Sequence, residues 1–168
     1  MKTITEEEFR KIEKANPYFK GRWEYFKEVV KMVEKIDPIK VLEIGSVGCK
    51  LVKDSKVLDI TNQYNGIKYE VDYLLDITKD LNKVKERFDL IICLQVLEHL
   101  GNSQQSVFSG LLERADNIII SIPYLWTDKS ELSHYNITDD IIKKWTCDKV
   151  PKEEIIIGDN KKRKIIRF

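Results

Sequence analysis

The chain has 168 residues, within the roughly 100–200 expected of one domain, and its 42% hydrophobic content can furnish one sizeable core. Its 29 basic and 28 acidic residues leave a net charge of +1, which gives no general reason to expect nucleic acid or an anionic membrane as a partner. The N-terminus lacks the apolar stretch of a signal peptide, no run approaches the ~18 residues of a membrane span, and Cys49, Cys93 and Cys147 show no pair spacing, so free thiols in a reducing cytoplasm are expected.

In chain order, Thr5 to Glu8 is a capping-box pattern that opens a helix ending before Pro17. A second helix is expected from Arg22 to Ile36, where Trp23, Phe26, Val29, Val30 and Val33 recur at helical spacing before Asp37-Pro38. These helices form a lid or flank; their aromatics (Phe9, Tyr18, Phe19, Trp23, Tyr25, Phe26) are read as core packing rather than pocket lining. Lys40 to Ile44 then reads as a buried parallel strand that stops at Gly45 and Gly48. Glycines after a strand let backbone approach a ligand, and in open α/β sheets ligands lie outside the carboxyl ends of strands, which turns Glu43 and Gly45 toward a cofactor.

A second strand, Lys56 to Ile60, carries Asp59. In nucleotide-binding βαβ units an acid about 20 residues beyond the glycines accepts from both ribose hydroxyls; here the spacing is shorter, and Lys50 to Ser55 has room only for a single turn or an irregular loop. Ile67 to Asp76 is strand-like, with Asp76 either at a ligand or capping a following helix from Asp80 to Arg87. Phe88 to Leu94 is continuously apolar, as a central strand covered on both faces should be, and runs into Gln95-Val-Leu-Glu-His-Leu100. A helix from Gln104 to Ala115, a strand from Asn117 to Ile122 ended by Pro123, and a Thr138-capped helix to Trp145 follow. Glu153 to Ile157 and Lys161 to Phe168 read as a terminal hairpin, with the basic cluster Lys161 to Lys164 as a solvated turn at its tip.

The combination of Glu43-x-Gly45, Asp59 and Asp76 at strand ends, and the Phe88-Asp89 strand leading into Val96-Leu-Glu-His-Leu100 resembles the class I S-adenosylmethionine-dependent methyltransferases, nearest their type 11 small-molecule group. The resemblance covers about Val41 to Thr138. It implies a Rossmann-like, mostly parallel twisted α/β sheet with helices on both faces and a C-terminal antiparallel hairpin, in one domain spanning 1–168. Carried over by position, Glu43, Gly45 and Ser46 meet the methionine end of S-adenosyl-L-methionine. Asp59 binds the ribose, Asp76 lies near the adenine, and Leu94 and Gln95 line the methyl-transfer face. Two departures stand out: Val47 and Cys49 occupy positions where the family carries glycine, and the helix after the turn is absent.

The aromatic loop from Tyr124 to Thr138 is expected over the same sheet edge, where loops of this length are usually functional. His134 is the candidate general base, its ordinary pKa near 6.5 suiting removal of a hydroxyl proton, while Tyr124, Trp126 and His99 are candidate substrate contacts. No cluster of His, Cys and carboxylates stands at ligand spacing, so no metal is expected. The expected activity is methyl transfer to a small-molecule acceptor, most simply to oxygen of a saccharide or secondary metabolite. A non-catalytic partner subunit, motivated by Val47, Cys49 and the short crossover, and an RNA methyltransferase, motivated by the basic hairpin, are the alternatives.

Overall fold

The structure is a computed structural model that describes residues 2–168. Its N-terminal helix α1 (Glu6–Ala15) begins with a reciprocal cap: Glu8 N–H donates to Thr5 Oγ1 at 3.3 Å while Glu8 Oε2 accepts from Thr5 N–H at 2.9 Å. Helix α2 (Trp23–Ile36) ends where Asp37 turns left-handed at φ 49° ahead of Pro38. Strands β1 (Val41–Ile44) and β2 (Lys56–Asp59) follow. A small hairpin of β3 (Gln63–Tyr64) and β4 (Ile67–Lys68), edge strand β5 (Tyr73–Leu74) and the single-turn helix α3 (Ile77–Asp80) come next. The chain continues through β6 (Phe88–Leu94), α4 (Gln104–Leu112), β7 (Ala115–Pro123), α5 (Asp139–Trp145), β8 (Glu153–Ile157) and β9 (Arg163–Arg167).

The main sheet has the order β5-β2-β1-β6-β7-β9-β8, parallel from β5 to β7, with β9 antiparallel to both its neighbours. Alternation along the strands divides the core in two. Leu90, Ile92 and Ile119 face α1 and α2, whereas Ile91, Cys93, Ile118 and Ile120 face α4 and α5. Burial on both faces is why β6 reads as an unbroken apolar run. The three cysteines are free thiols, as expected, and no helix of the described residues is long and apolar enough to cross a membrane.

The first two helices are core rather than lid. Phe9 is fully buried, packed edge-on against Phe19 and Phe26 at 6.4 and 5.5 Å and beside Trp23 at 5.2 Å. Removing that ring leaves a cavity that a helix pinned by its cap cannot close, so Phe9→Ala should lose about 3–5 kcal/mol in urea unfolding. A loss below about 1 kcal/mol would return the helices to the status of a loose flank.

The segment expected as one strand from Ile67 to Asp76 is broken into pieces. Asn65-Gly66 turns left-handed at φ 48° and 79°, the backbone of a two-residue hairpin turn. Beyond it, Asp72 takes over the ladder, accepting Val57 N–H at 2.8 Å on its side chain while its own N–H donates to Val57 C=O. The helix expected from Asp80 to Arg87 lies earlier and is shorter, because the Asp76 carboxylate caps it at Thr78 N–H. Its continuation fails where Arg114 Nε donates to Val84 C=O at 3.2 Å and Glu86 is drawn to Lys40, Lys56 and the Tyr73 hydroxyl. The basic hairpin cluster also disperses. Lys161 and Lys162 sit at the tip, Lys164 is buried between Asp139 (2.7 Å) and Glu154 (3.0 Å), and Arg163 turns inward.

Candidate functional site

Outside the carboxyl ends of β1, β2 and β6 lies a cavity of about 590 Å³, within the range of small-molecule sites. One end is an apolar slot between Ile60, Leu75, Ile77, Val96 and Leu100, bounded by Asp59 and Asp76. The other end gathers Tyr18, Arg22, Trp126, Glu131, His99, His134 and Arg163.

The turn after β1 is held from within. Glu43 is buried at 3% exposure, and its carboxylate accepts Leu51 N–H, Val52 N–H (2.9 Å each) and Ser55 Oγ–H (2.7 Å). Burial pushes its pKa up, and these three donors oppose that shift. They would otherwise be orphaned by the missing crossover helix. Glu43 thus holds the loop from within while lining, with Gly45 and Ser46, the narrower pocket at the turn. Gly45 turns left-handed at φ 67°, and Val47, where the resembled family has glycine, adopts the same backbone at φ 52°. A β-branched residue pays strain there, but the turn keeps its shape. Ser46 Oγ is buried without a partner at the end of β1.

Asp59 sits at the end of β2, 6% exposed and pushed up in pKa by burial. Tyr69 OH donates to its Oδ2 at 3.2 Å and Thr61 N–H to its Oδ1 at 3.4 Å, leaving further lone pairs toward the cavity it lines. Asp76 lines the same slot, with one oxygen taken by Thr78 and the other by Lys79 at 2.9 Å, so it serves as a helix cap as well as a wall. Gln95, left-handed at φ 55°, carries the chain out of β6 and places Val96 over Gly45; its side chain bridges Ser121 Oγ and Arg163 Nε. Leu94 faces the narrower pocket behind Gly45 together with Ser46.

Of the candidate substrate contacts, Trp126 and His99 line the cavity, but Tyr124 does not. Its ring belongs to the core beneath α5 and its hydroxyl donates to Asp139 at 3.0 Å, a correction that follows from side chains alternating sides at the end of β7. His134 lies with Nε2 3.3 Å from Nε2 of His99, its ring edge-on to Trp126 at 5.2 Å. Burial lowers the pKa of both imidazoles, so both are neutral at pH 7.

Beneath this pair is Glu98, whose side chain is fully buried and 4.0 Å from His134 Nε2. Neither of its oxygens has a hydrogen-bond partner, and burial pushes its pKa up to about 8. The expectation of no ligand cluster thus gives way: Glu98, His99 and His134 present ligand atoms within 4.8 Å of one another, brought together from a strand exit and a distant loop.

Two arginines had no sequence signal. Arg22, ahead of α2, stacks over Tyr18 at 3.9 Å and donates to Tyr18 C=O and Tyr25 OH. Arg163, at the start of β9, lies over Tyr25 and Trp126 at 4.9 and 5.6 Å. Neither has a carboxylate at ion-pair distance among the described residues. Tyr18 also meets Tyr64 of the β3–β4 hairpin edge-on at 4.9 Å, both rings lining the cavity.

No protein-family model and no curated protein matches the sequence. Solved structures do match the fold. An S-adenosylmethionine-dependent methyltransferase from Clostridium acetobutylicum ATCC 824 superposes with a TM-score of 0.66 at 9% identity, over 96% of this chain and 97% of that one. Magnesium protoporphyrin IX methyltransferase from Synechocystis PCC 6803, with bound S-adenosylmethionine, gives 0.62 at 17% identity over 88% and 78%. The N-terminal domain of EvdMO1, in the presence of S-adenosylhomocysteine and D-fucose, gives 0.56 at 11% over 84% and 80%.

Proposed function

From the class I methyltransferase fold, which this chain shares with those structures, we propose that the protein is an S-adenosylmethionine-dependent methyltransferase acting on a small molecule, with oxygen as the acceptor atom. The observation that carries the reading is the polarity of the cavity: a carboxylate beside an apolar slot at one end, cations and imidazoles at the other, with the glycine turn between them. The slot accepts a flat base, Asp59 can accept from vicinal ribose hydroxyls, and Arg22, unpaired beside Gly45 and Ser46, suits the carboxylate of the methionine end. Bound in this way, S-adenosylmethionine supplies a methyl group activated on a sulfonium.

The chain's own contribution is chiefly placement, since fixing nucleophile and methyl in line removes most of the entropic cost. Trp126 and the His99–His134 pair stand at the acceptor end. A neutral His134 can take the acceptor's proton, because lowering its pKa leaves the Nε2 lone pair available at neutral pH. Arg163, unpaired and stacked on Trp126, favours an acceptor bearing an anionic or strongly polar group. The cavity volume suits a saccharide or secondary metabolite. The basic cluster that motivated the RNA alternative does not form a patch.

Calorimetric titration with S-adenosylmethionine tests the reading. Wild type should bind, and Asp59→Ala should weaken binding by about 1.5–3 kcal/mol, the range for hydrogen bonds to a charged group, or roughly 10- to 150-fold. No heat with wild type would leave the non-catalytic partner subunit as the reading, and an unchanged constant in the variant would remove Asp59 from the ribose.

A further inference from the structure

A carboxyl group buried with both oxygens unpartnered is an expensive arrangement, charged or neutral, unless a partner is meant to sit against it. Arg22 and Arg163 act on Glu98 only at a distance and make no ion pair with it. The two groups nearest it on the cavity side are imidazoles whose Nε2 atoms face each other at 3.3 Å. We infer that Glu98, His99 and His134 form a binding site for one divalent first-row transition ion, with Zn²⁺ or Mn²⁺ as the fitting species.

The geometry supports this edge by edge. With metal–nitrogen bonds of about 2.05 Å, two nitrogens 3.3 Å apart subtend about 107° at the ion, close to the tetrahedral angle. The two carboxylate edges are wider: Glu98 Oε1 is 4.0 Å from His134 Nε2, and the edge to His99 lies within the 4.8 Å that spans all three ligand atoms, so the glutamate must swing inward by about half an ångström or more to close the site. Two imidazoles and one carboxylate select a transition ion over Mg²⁺ or Ca²⁺, which prefer all-oxygen shells.

The surroundings orient the ligands as a metal site requires. His99 Nδ1 meets Ser133 Oγ at 3.3 Å, and Ser133 Oγ–H donates to Glu131 Oε1 at 2.8 Å. With Nδ1 as the donor, His99 offers its Nε2 lone pair to the ion. Glu131 also adds a negative charge that offsets the nearby guanidinium groups of Arg22 and Arg163. His99 and His134 line the cavity while Glu98 lies behind them, so a bound ion keeps an open position toward the acceptor end, the pattern of a catalytic rather than a structural site. An ion there uses the lone pair of His134. That side chain then serves as a ligand, and the acceptor hydroxyl would be acidified by coordination, releasing its proton to solvent water, instead of by a base. This catalytic use rests on the methyl-transfer reading; ion binding itself does not.

The test is a titration of chelator-stripped protein, without cofactor, with Co²⁺ followed by visible absorption and with Zn²⁺ followed by calorimetry. One ion per chain is expected, with a ligand-field band on Co²⁺ loading that Zn²⁺ abolishes. Binding should fall at least 100-fold in His134→Ala and in Glu98→Gln, and 10- to 100-fold in Ser133→Ala. His134 lies on a half-buried loop turn, so if Glu98→Gln fails to fold, His134→Ala with native circular dichroism carries the comparison. Failure of wild type to bind either ion, or equal binding by the folded variants, would overturn the site. S-adenosylmethionine titration of stripped and loaded wild type reports the cofactor reading separately.

Discussion

Gly45→Val should lose S-adenosylmethionine binding by at least 100-fold, about 2.7 kcal/mol, while far-ultraviolet circular dichroism stays native. The backbone at φ 67° belongs to glycine, and a Cβ added there would stand 2.6 Å from Val96 Cγ2. Val96 has few rotamers in which to yield, and moving it means pushing it into the slot it lines. The strained turn adds roughly 1–2 kcal/mol for any side chain forced left-handed. Should valine prevent folding, Gly45→Ala carries the smallest version of the same clash and should still weaken binding. A folded variant that binds as wild type does would mean that the cofactor does not use this turn.

His134→Gln should slow methyl transfer by about 10²–10⁴-fold, the range for loss of a positioned proton acceptor. As a base, His134 works while neutral, so the wild-type rate should fall as pH drops through a pKa below the ordinary 6.5. That acidic limb should be missing from the variant when cofactor is saturating and the acceptor titrates far from neutrality. Chelation separates base from ligand: if an ion is held, stripped wild type drops to the level of the variant and Zn²⁺ or Mn²⁺ restores only wild type. A rate within a few-fold of wild type with the limb intact would make His134 a loop-packing residue.

Strands were legible wherever burial on both faces leaves no polar position, as from Phe88 to Leu94, and helices wherever a cap marks their start, as at Thr5 and Thr138. Ile67 to Asp76 does not form the expected single strand because side chains there replace the ladder: Tyr69 turns to Asp59 and Asp72 to Val57. The Asn65-Gly66 dipeptide was a usable signal for the hairpin. In the site, the placement of Asp59 and the glycine turn at the cavity was legible because it follows from their positions at strand ends. Arg22 and Arg163 were not, since a long side chain reaches the cavity from a helix start or a strand start without any local pattern. The meeting of Glu98 with His134 depends on where the loop after β7 settles over the sheet, which is a tertiary fact with no spacing to betray it.

The Tyr18–Tyr64 contact bears on how quickly this cavity exchanges its contents. It joins the N-terminal turn to the β3–β4 hairpin where both line the cavity, so the hairpin swings away from that turn only when the rings part. An edge-to-face pair is worth about 0.5–1.5 kcal/mol, which by itself would hold the parted fraction at roughly a tenth to a third of the time. A latch of that strength slows a ligand entering past the hairpin only a few-fold. A ligand leaving by that route has to wait for the same parting, which lengthens residence time without any added contact to the ligand.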